Sequence, residues 1–367
     1  MARSQKVAPE YLENVNSALK RNGYPSKSKF AEHVTPSLST VKNFFAGKPV
    51  DFEYFVEICE KLGLDWQEIS YDETLDETSQ KDNNPPMEET SPFITGSPIK
   101  HPSRFFGRQK ELKRLFGILK RHPLQNAAII GKRRMGKTSL LHYLKNITVT
   151  AKEELRPEQK SDWLPHPEVY KWIFVDFQDS RMASRENLLT HILENLNLKV
   201  PTPCDLDNFM DVVSDNLQNP TVILLDEIGA VLQRCEQLDD EFWESLRSLA
   251  TNHTRGNLAF ILTTDKLPTE LALSTGHSSP FFNIFGYTAY LKEFTESEVR
   301  ELIASSPIAF PEDDVEWILR ESRCVPLLLQ ILCSERLFSL EEGESGEEWK
   351  QEGLLQMKPF IHLLDKS

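Results

Sequence analysis

Short apolar runs and amphipathic stretches alternate through the middle of the chain. Five runs, at residues 127–130, 172–177, 222–225, 258–263 and 287–291, are brief and rich in β-branched or aromatic residues, as buried strands are. Helical spacing fills the intervals, so the pattern predicts a three-layer α/β fold. The run Val222-Ile-Leu-Leu225 leads into Asp226-Glu227, as expected of a buried parallel strand that ends at a site. Beyond residue 291 the periodicity is helical throughout. Thr295-Glu-Ser-Glu298 predicts a capping box, and helices follow over 314–321 and 326–337, the second with Pro326 in its first turn. After an acidic loop at 341–348 comes one last helix, 349–364.

The N-terminal 70 residues carry only helical signals. Tyr11, Val15, Ala18 and Leu19 share a face. A helix over 28–34 is followed by the turn Thr35-Pro36, and Ser37 caps a second helix that stops at Gly47. Residues 51–62 form another, closed by Gly63. Between the two regions lies an acidic, proline-bearing stretch whose only large apolar residues over 72–92 are Leu75 and Met87. Such a stretch buries too little surface to fold, so it reads as a tether. The expected domains are therefore an all-α module (1–70), a linker (71–102), an α/β nucleotide-binding core (103–293) and a helical lid with a C-terminal helix (294–367).

The core has identifiable chemistry. Gly131-Lys-Arg-Arg-Met-Gly-Lys-Thr138 fits GxxxxGK[ST], between a predicted strand and a predicted helix that begins with Ser139. Gly131 and Gly136 let the backbone wrap phosphates. Lys137 reaches the β- and γ-phosphates, and the Thr138 hydroxyl ligates Mg²⁺. Asp226 can hold the same ion through water, and Glu227 can polarise an attacking water. Arg133 and Arg134 either steer phosphate, contact a neighbouring molecule or are simply solvated.

Composition narrows the setting. Net charge is −14 and the pI about 5.2, which argues against a general nucleic-acid coat or a membrane-surface binder. Residues 1–49 depart from this, with eight basic against three acidic side chains. No run is long enough to cross a membrane, and no secretory start is present. The five cysteines are scattered without a C-x-x-C pair, and the nine histidines show no metal-ligand spacing. A cytoplasmic protein with reduced thiols is expected.

Two resemblances extend this reading. Residues 31–47 resemble, without a gap, the helix-turn-helix of phage-repressor-type regulators, through Ala31, Ser37, Ser39, Thr40, Val41 and Gly47. Thr35 replaces the usual turn glycine and Pro36 an apolar residue. The resemblance implies contacts to double-stranded DNA from Ser37, Ser39, Thr40, Lys42 and Asn43 within residues 1–50. The alternative is a helical docking module with solvated lysines. Phe105-Phe-Gly107-Arg108 and the arginine-bearing loop resemble the prokaryotic signal-transduction ATPases with numerous domains, AAA-like P-loop proteins of the additional-strand class. That likeness implies ATP and Mg²⁺ as cofactors, Gly107 and Arg108 near adenine and ribose, Thr263 or Thr264 as a γ-phosphate sensor, and a helical lid. It also implies a nucleotide-dependent homo-oligomer, with Arg247 or Arg255 as candidate fingers toward a neighbouring subunit. The family's glycine pair before the lid proline is absent, and Ser322-Arg323-Cys324-Val325 stand there instead. Arg323 is placed at a helix start, either reaching the γ-phosphate or lying on the surface. The function expected is a slow regulatory ATPase coupled to DNA or to an unidentified protein partner. The alternatives are an AAA+ factor that polymerises on DNA, as in transposition or partition, and a non-enzymatic nucleotide-binding module.

Overall fold

In the computed structural model, residues 4–69 and 91–364 are described, apart from positions 9, 10, 25, 32, 37, 49, 65, 158 and 345. The chain divides into two compact units, residues 1–89 and 90–367.

The smaller unit runs β1 (Ser4–Gln5), α1 (Leu12–Arg21), α2 (Lys27–Ala31), α3 (Leu38–Phe45), β2 (Val50–Asp51), α4 (Phe52–Leu62) and α5 (Trp66–Ile69). Its core is aromatic. Phe30, Phe44 and Phe55 are fully buried, with the Phe44 and Phe55 rings 5.1 Å apart and Phe30 edge-on to Phe45 at 5.9 Å. The unit is not purely helical as its sequence suggested, because β1 and β2 pair antiparallel, Ser4 opposite Asp51. The atypical turn residues are accommodated: Pro36 is buried as an apolar residue would be, and the Thr35 N–H donates to Glu57 Oε1 at 2.7 Å. Lys42 and Asn43 are exposed on α3 and Thr40 is half-buried. Ser37 and the side chain of Ser39 lie outside the described residues.

The larger unit places α6 (Gln109–Leu119) before β3 (Ala127–Ile130) and α7 (Lys137–Asn146). Next come β4 (Lys171–Asp176), α8 (Arg185–Asn195), α9 (Leu206–Asn216), β5 (Thr221–Asp226), α10 (Ile228–Leu232) and α11 (Asp240–Ser248). Then follow β6 (Leu258–Thr264), α12 (Pro268–Ser274) and β7 (Tyr287–Tyr290). The strands form one parallel sheet in the order β4-β5-β6-β3-β7. Alternate residues feed two cores, one on each face. Ala127, Ile129, Val222 and Leu224 pack on one side, and Ala128, Ile130, Ile223 and Leu225 on the other. Burial of both faces explains why these strands read as continuous apolar runs.

The order carries a functional consequence. The strand that lies between the loop strand β3 and the acid strand β5 in space is β6, whereas the one between them in sequence, β4, is at the sheet edge. The side chains at the end of β6 therefore reach both motifs.

The C-terminal helices are α13 (Glu296–Ile303), α14 (Glu312–Ser322), α15 (Pro326–Glu341) and α16 (Glu348–Met357). The predicted capping box forms at Thr295 and Glu298. A buried ion pair, Arg336 to Asp314 at 2.7 Å, ties α15 to α14, and Trp317 packs edge-on to Trp349 of α16. The last predicted helix is broken into α16 and a 3₁₀ stretch, Lys358–Leu364. Pro359 lacks the N–H that a continuing α-helix needs.

Residues 91–102, assigned to the linker by their composition, instead lie against the larger unit. Phe93 is buried with its ring 5.9 Å from that of Phe310, the Ile94 N–H donates to Gln330 Oε1 at 3.1 Å, and the Ile99 N–H donates to Ser139 Oγ at 3.0 Å. Phe93, Ile94 and Ile99 supply the apolar surface that the acidic stretch before them lacks. Phe93→Ala should release this strap. Limited proteolysis is expected to cut within residues 91–102 several-fold faster in the variant than in the parent, while α15 and α16 stay protected.

Candidate functional site

The site is built at the C-terminal edge of the parallel sheet, where β3 turns into α7. An added Cβ at Gly131 would sit 3.1 Å from the Leu291 carbonyl oxygen, so a side chain there would have to displace backbone. Gly136 adopts φ +87° immediately before α7, a conformation suited to glycine. Lys137 is only 5% exposed. Its ammonium donates to the carbonyls of Gly131 (3.0 Å) and Lys132 (3.3 Å) and lies 3.7 Å from Glu227 Oε1.

The acid pair is held from β6. The buried Thr263 hydroxyl donates to Asp226 Oδ1 at 2.6 Å and accepts from the Glu227 N–H at 2.8 Å. Asp226 is 3% exposed, and burial raises its carboxyl pKa. Hydrogen bonds from Thr263 and Thr138 counter that shift only in part. The loop threonine and the carboxylate at the end of β5 line the same cavity, an oxygen pair suited to a hard divalent cation. Among the described residues no group of three or more His, Cys, Asp or Glu is placed to hold a metal. This pair would therefore share an ion with water and phosphate oxygens. Glu227 sits at φ +53°, a left-handed conformation that aims its side chain beside Lys137.

The Gly107-Arg108 turn borders the same cavity. Arg108 (φ +61°) is the residue before α6; its guanidinium donates to the Met135 carbonyl at 3.2 Å and lies 4.6 Å from the Phe294 ring centroid. Burial lowers its pKa, and Glu298 offsets part of that. Glu298 of α13 accepts the Arg108 N–H at 2.6 Å through Oε1, while Oε2 accepts the Thr295 N–H at 2.8 Å. Gly107, at φ +69°, leaves room for this clamp, since a Cβ there would come within 2.8 Å of Glu298 Oε1.

These groups enclose a cavity of about 510 Å³. Its polar end includes Arg134, Gly136, Lys137, Thr138, Ser139, Asp226 and Glu227. Its apolar end includes Ile94, Phe105, Phe106, Phe294 and Leu327, with Gln330 among them. Gly131 and Gly107 act from behind the lining. Thr264 does not face the cavity: its hydroxyl accepts from the Lys266 N–H at 3.2 Å and its carbonyl from the Gly131 N–H at 3.1 Å, so it braces the loop. Thr263, the other threonine considered for the sensor, is the one in contact with the acids.

Arg323 requires correction. It ends α14 rather than starting a helix, and its guanidinium donates to the Leu364 carbonyl at 3.1 Å, away from the cavity. The reason is local backbone shape. Arg323 and Cys324 both hold positive φ, +46° and +59°, the left-handed turn that glycines would take without strain. The turn persists although the glycines do not, and it carries the arginine outward.

Several neighbours escaped the sequence reading. Asp176 lies beside Asp226 in register across β4 and β5 and lines the cavity with Gln178. Its signal was an apolar run ending in an acid, as in β5. Glu298 was legible as a cap but not as a clamp, and the strap and Gln330 had no local motif.

Comparison with known proteins agrees with this geometry. Residues 121–268 match the AAA domain family. The fold is similar to a Walker-type ATPase of Pyrococcus abyssi, with TM-score 0.52, 18% identity, and 74% of this chain and 77% of that one covered. It is also similar to the ORC2 protein of Aeropyrum pernix in its ADPNP–ADP complexes, with TM-score 0.52, 14% identity, and coverage of 72% and 70%. A sequence comparison with curated proteins returns no match. At these identities the solved structures establish the fold alone. The larger unit is therefore an α/β P-loop fold with a five-stranded parallel sheet and a C-terminal helical region, similar over residues 121–268 to the AAA domain family.

Burial of Asp226 sets a pH dependence. Its folded-state pKa is raised, so the metal-free protein gains stability as pH falls through that value and loses it as pH rises. Cation binding needs the ionised form and runs the other way. Mg²⁺-dependent nucleotide affinity should decline on acidification while ordinary carboxylates, near pH 4, are still ionised. Isothermal titration at stepped pH should show this decline in the parent protein and a flat, weak profile in Asp226→Asn.

Proposed function

We propose that the larger unit binds ATP with Mg²⁺ and hydrolyses it slowly, as a nucleotide-dependent switch coupled to the smaller unit. The observation that carries this reading is the convergence of Lys137, Thr138, Asp226 and Glu227 in one cavity. On phosphate binding, Lys137 exchanges its carbonyl partners for β- and γ-oxygens, and the N–H groups at the start of α7 face the same anion. Thr138 and Asp226 would hold Mg²⁺, which would supply charge neutralisation at the phosphates. Glu227, fixed by the Thr263 hydrogen bond to its N–H, orients the attacking water and accepts its proton. The Aeropyrum protein, solved with adenine nucleotides, supports the assignment of the ligand class.

The switch reading rests on the lid. Glu298 joins α13 to the Arg108 turn, so closure over nucleotide is transmitted to that turn and to the strap that precedes it. Residues 1–50 supply the output in this reading, a helix-turn-helix that meets duplex DNA through Ser37, Ser39, Thr40, Lys42 and Asn43. The exposure of Lys42 and Asn43 on α3 and the basic balance of residues 1–49 support it. Self-association with bound nucleotide completes the cycle.

ATP hydrolysis measured alongside molecular mass, with and without duplex DNA, tests the proposal on the full chain. The parent should bind ATP, turn it over slowly and change mass with nucleotide. Lys137→Ala should abolish binding. Glu227→Gln should retain binding and lose about 100-fold or more in turnover. Filament growth on DNA would favour the polymerising alternative, and full turnover in Glu227→Gln would remove its assigned role.

A further inference from the structure

Gln330 is a buried polar side chain in the apolar end of the cavity. It is 6% exposed, it lies in the second turn of α15, and it lines the cavity with Phe294, Leu327 and Ile94. A carboxamide has a donor end and an acceptor end, and which end faces where is fixed by its partners. Here the Ile94 N–H donates at 3.1 Å, so the oxygen must point to the strap. The amide nitrogen is left with two N–H donors, and no partner within the protein is seen for them among the described residues. It is also not sealed off, since the fully enclosed side-chain atoms without partners are Trp163 Nε1, Trp172 Nε1, Arg247 Nε, Ser306 Oγ and Arg336 Nε. The free donor therefore opens on the cavity.

The cavity is lined both by the phosphate-loop residues and by an apolar set, Ile94, Phe105, Phe106, Phe294 and Leu327, with Gln330 bonded to Ile94 in that set, so a nucleotide whose phosphates meet Lys137 would bring its base toward Gln330. We infer that Gln330 is a base-specificity residue, whose amide N–H donates to an acceptor nitrogen in the ring of a purine. Phe105, Phe106 and Leu327 supply the apolar surround, and the strap N–H of Ile94 orients the amide. A purine offers unprotonated ring nitrogens as acceptors and enough apolar face to fill the pocket. A site built to hydrogen-bond a ligand group discriminates against an analogue lacking it, because its own buried donor is then left unpaired. This inference rests on the nucleotide reading of the cavity and adds the residue that distinguishes the base.

Two variants separate the donor from its orientation. Gln330→Glu keeps an acceptor for Ile94 and removes the donor, and Gln330→Met removes both at similar volume. Equilibrium binding to the full chain with Mg²⁺ should be measured for ATP, for its 1-, 3- and 7-deaza analogues and for inorganic tripolyphosphate, which has no base. The expected result is a loss of about tenfold in ATP affinity in both variants with tripolyphosphate binding unchanged. One deaza analogue should bind the parent about tenfold more weakly than ATP and lose nothing further in Gln330→Met. Unchanged ATP affinity in both variants would overturn the assignment. So would an equal loss for ATP and tripolyphosphate, which would make Gln330 structural. If the parent binds neither ATP nor tripolyphosphate, the nucleotide reading itself fails, an outcome distinct from either of these.

Discussion

One buried hydroxyl organises the site. Thr263, at the end of the central strand β6, donates to Asp226 and accepts from the backbone of Glu227. A hydroxyl can do both at once, with one proton and two lone pairs. The strand order makes this possible, because β6 lies between the loop strand and the acid strand. The contact fixes the acid that meets Thr138 and the backbone turn that brings Glu227 to Lys137. Replacing it with an apolar group of the same shape would leave a buried carboxylate short of a donor, and charged groups in that state are costly.

Backbone strain is concentrated on the same segments. Among the described residues seven that are not glycine hold positive φ: Arg108, Arg134 and Glu227 line the cavity, Arg323 and Cys324 turn the chain between α14 and α15, and Asn197 and Arg255 lie elsewhere. Each such conformation costs about 1–3 kcal/mol and persists only where surrounding contacts enforce it. Those contacts are visible. Glu298 holds the Arg108 N–H, Thr263 holds the Glu227 N–H, and the Phe294 N–H donates to the Cys324 carbonyl at 2.9 Å. Glu298 does double duty as helix cap and as clamp, so the start of α13 and the Gly107-Arg108 turn cannot move independently. The strap adds a third connection, since Ile99 is bonded to Ser139 of the loop helix and Ile94 to Gln330 of α15.

The five sheet strands were legible because both faces are buried and the apolar runs stop at turn residues. The loop at 131–138 and the acid pair were legible as motifs, and the structure brings them together at one cavity. Other features depend on partners distant in sequence. The β1–β2 pair is two residues long and has no pattern of its own. The strap follows an acidic stretch that masks its three apolar anchors. The choice between Thr263 and Thr264 turns on which face of β6 meets the acids, and adjacent strand residues face opposite ways. Arg323 was misplaced because the glycines that mark its turn are absent while the turn is kept. Pro359, which has no N–H to donate, stands where the last helix gives way to the 3₁₀ stretch.

In the proposed reading Lys137, Thr138, Asp226 and Glu227 form a metal-dependent nucleotide site. Calorimetric titration of the full chain with ATP, in the presence and absence of Mg²⁺, tests it most directly. One ATP should bind per chain, with affinity at least tenfold higher when Mg²⁺ is present. Absence of ATP binding under both conditions, or binding that is indifferent to Mg²⁺, would contradict it.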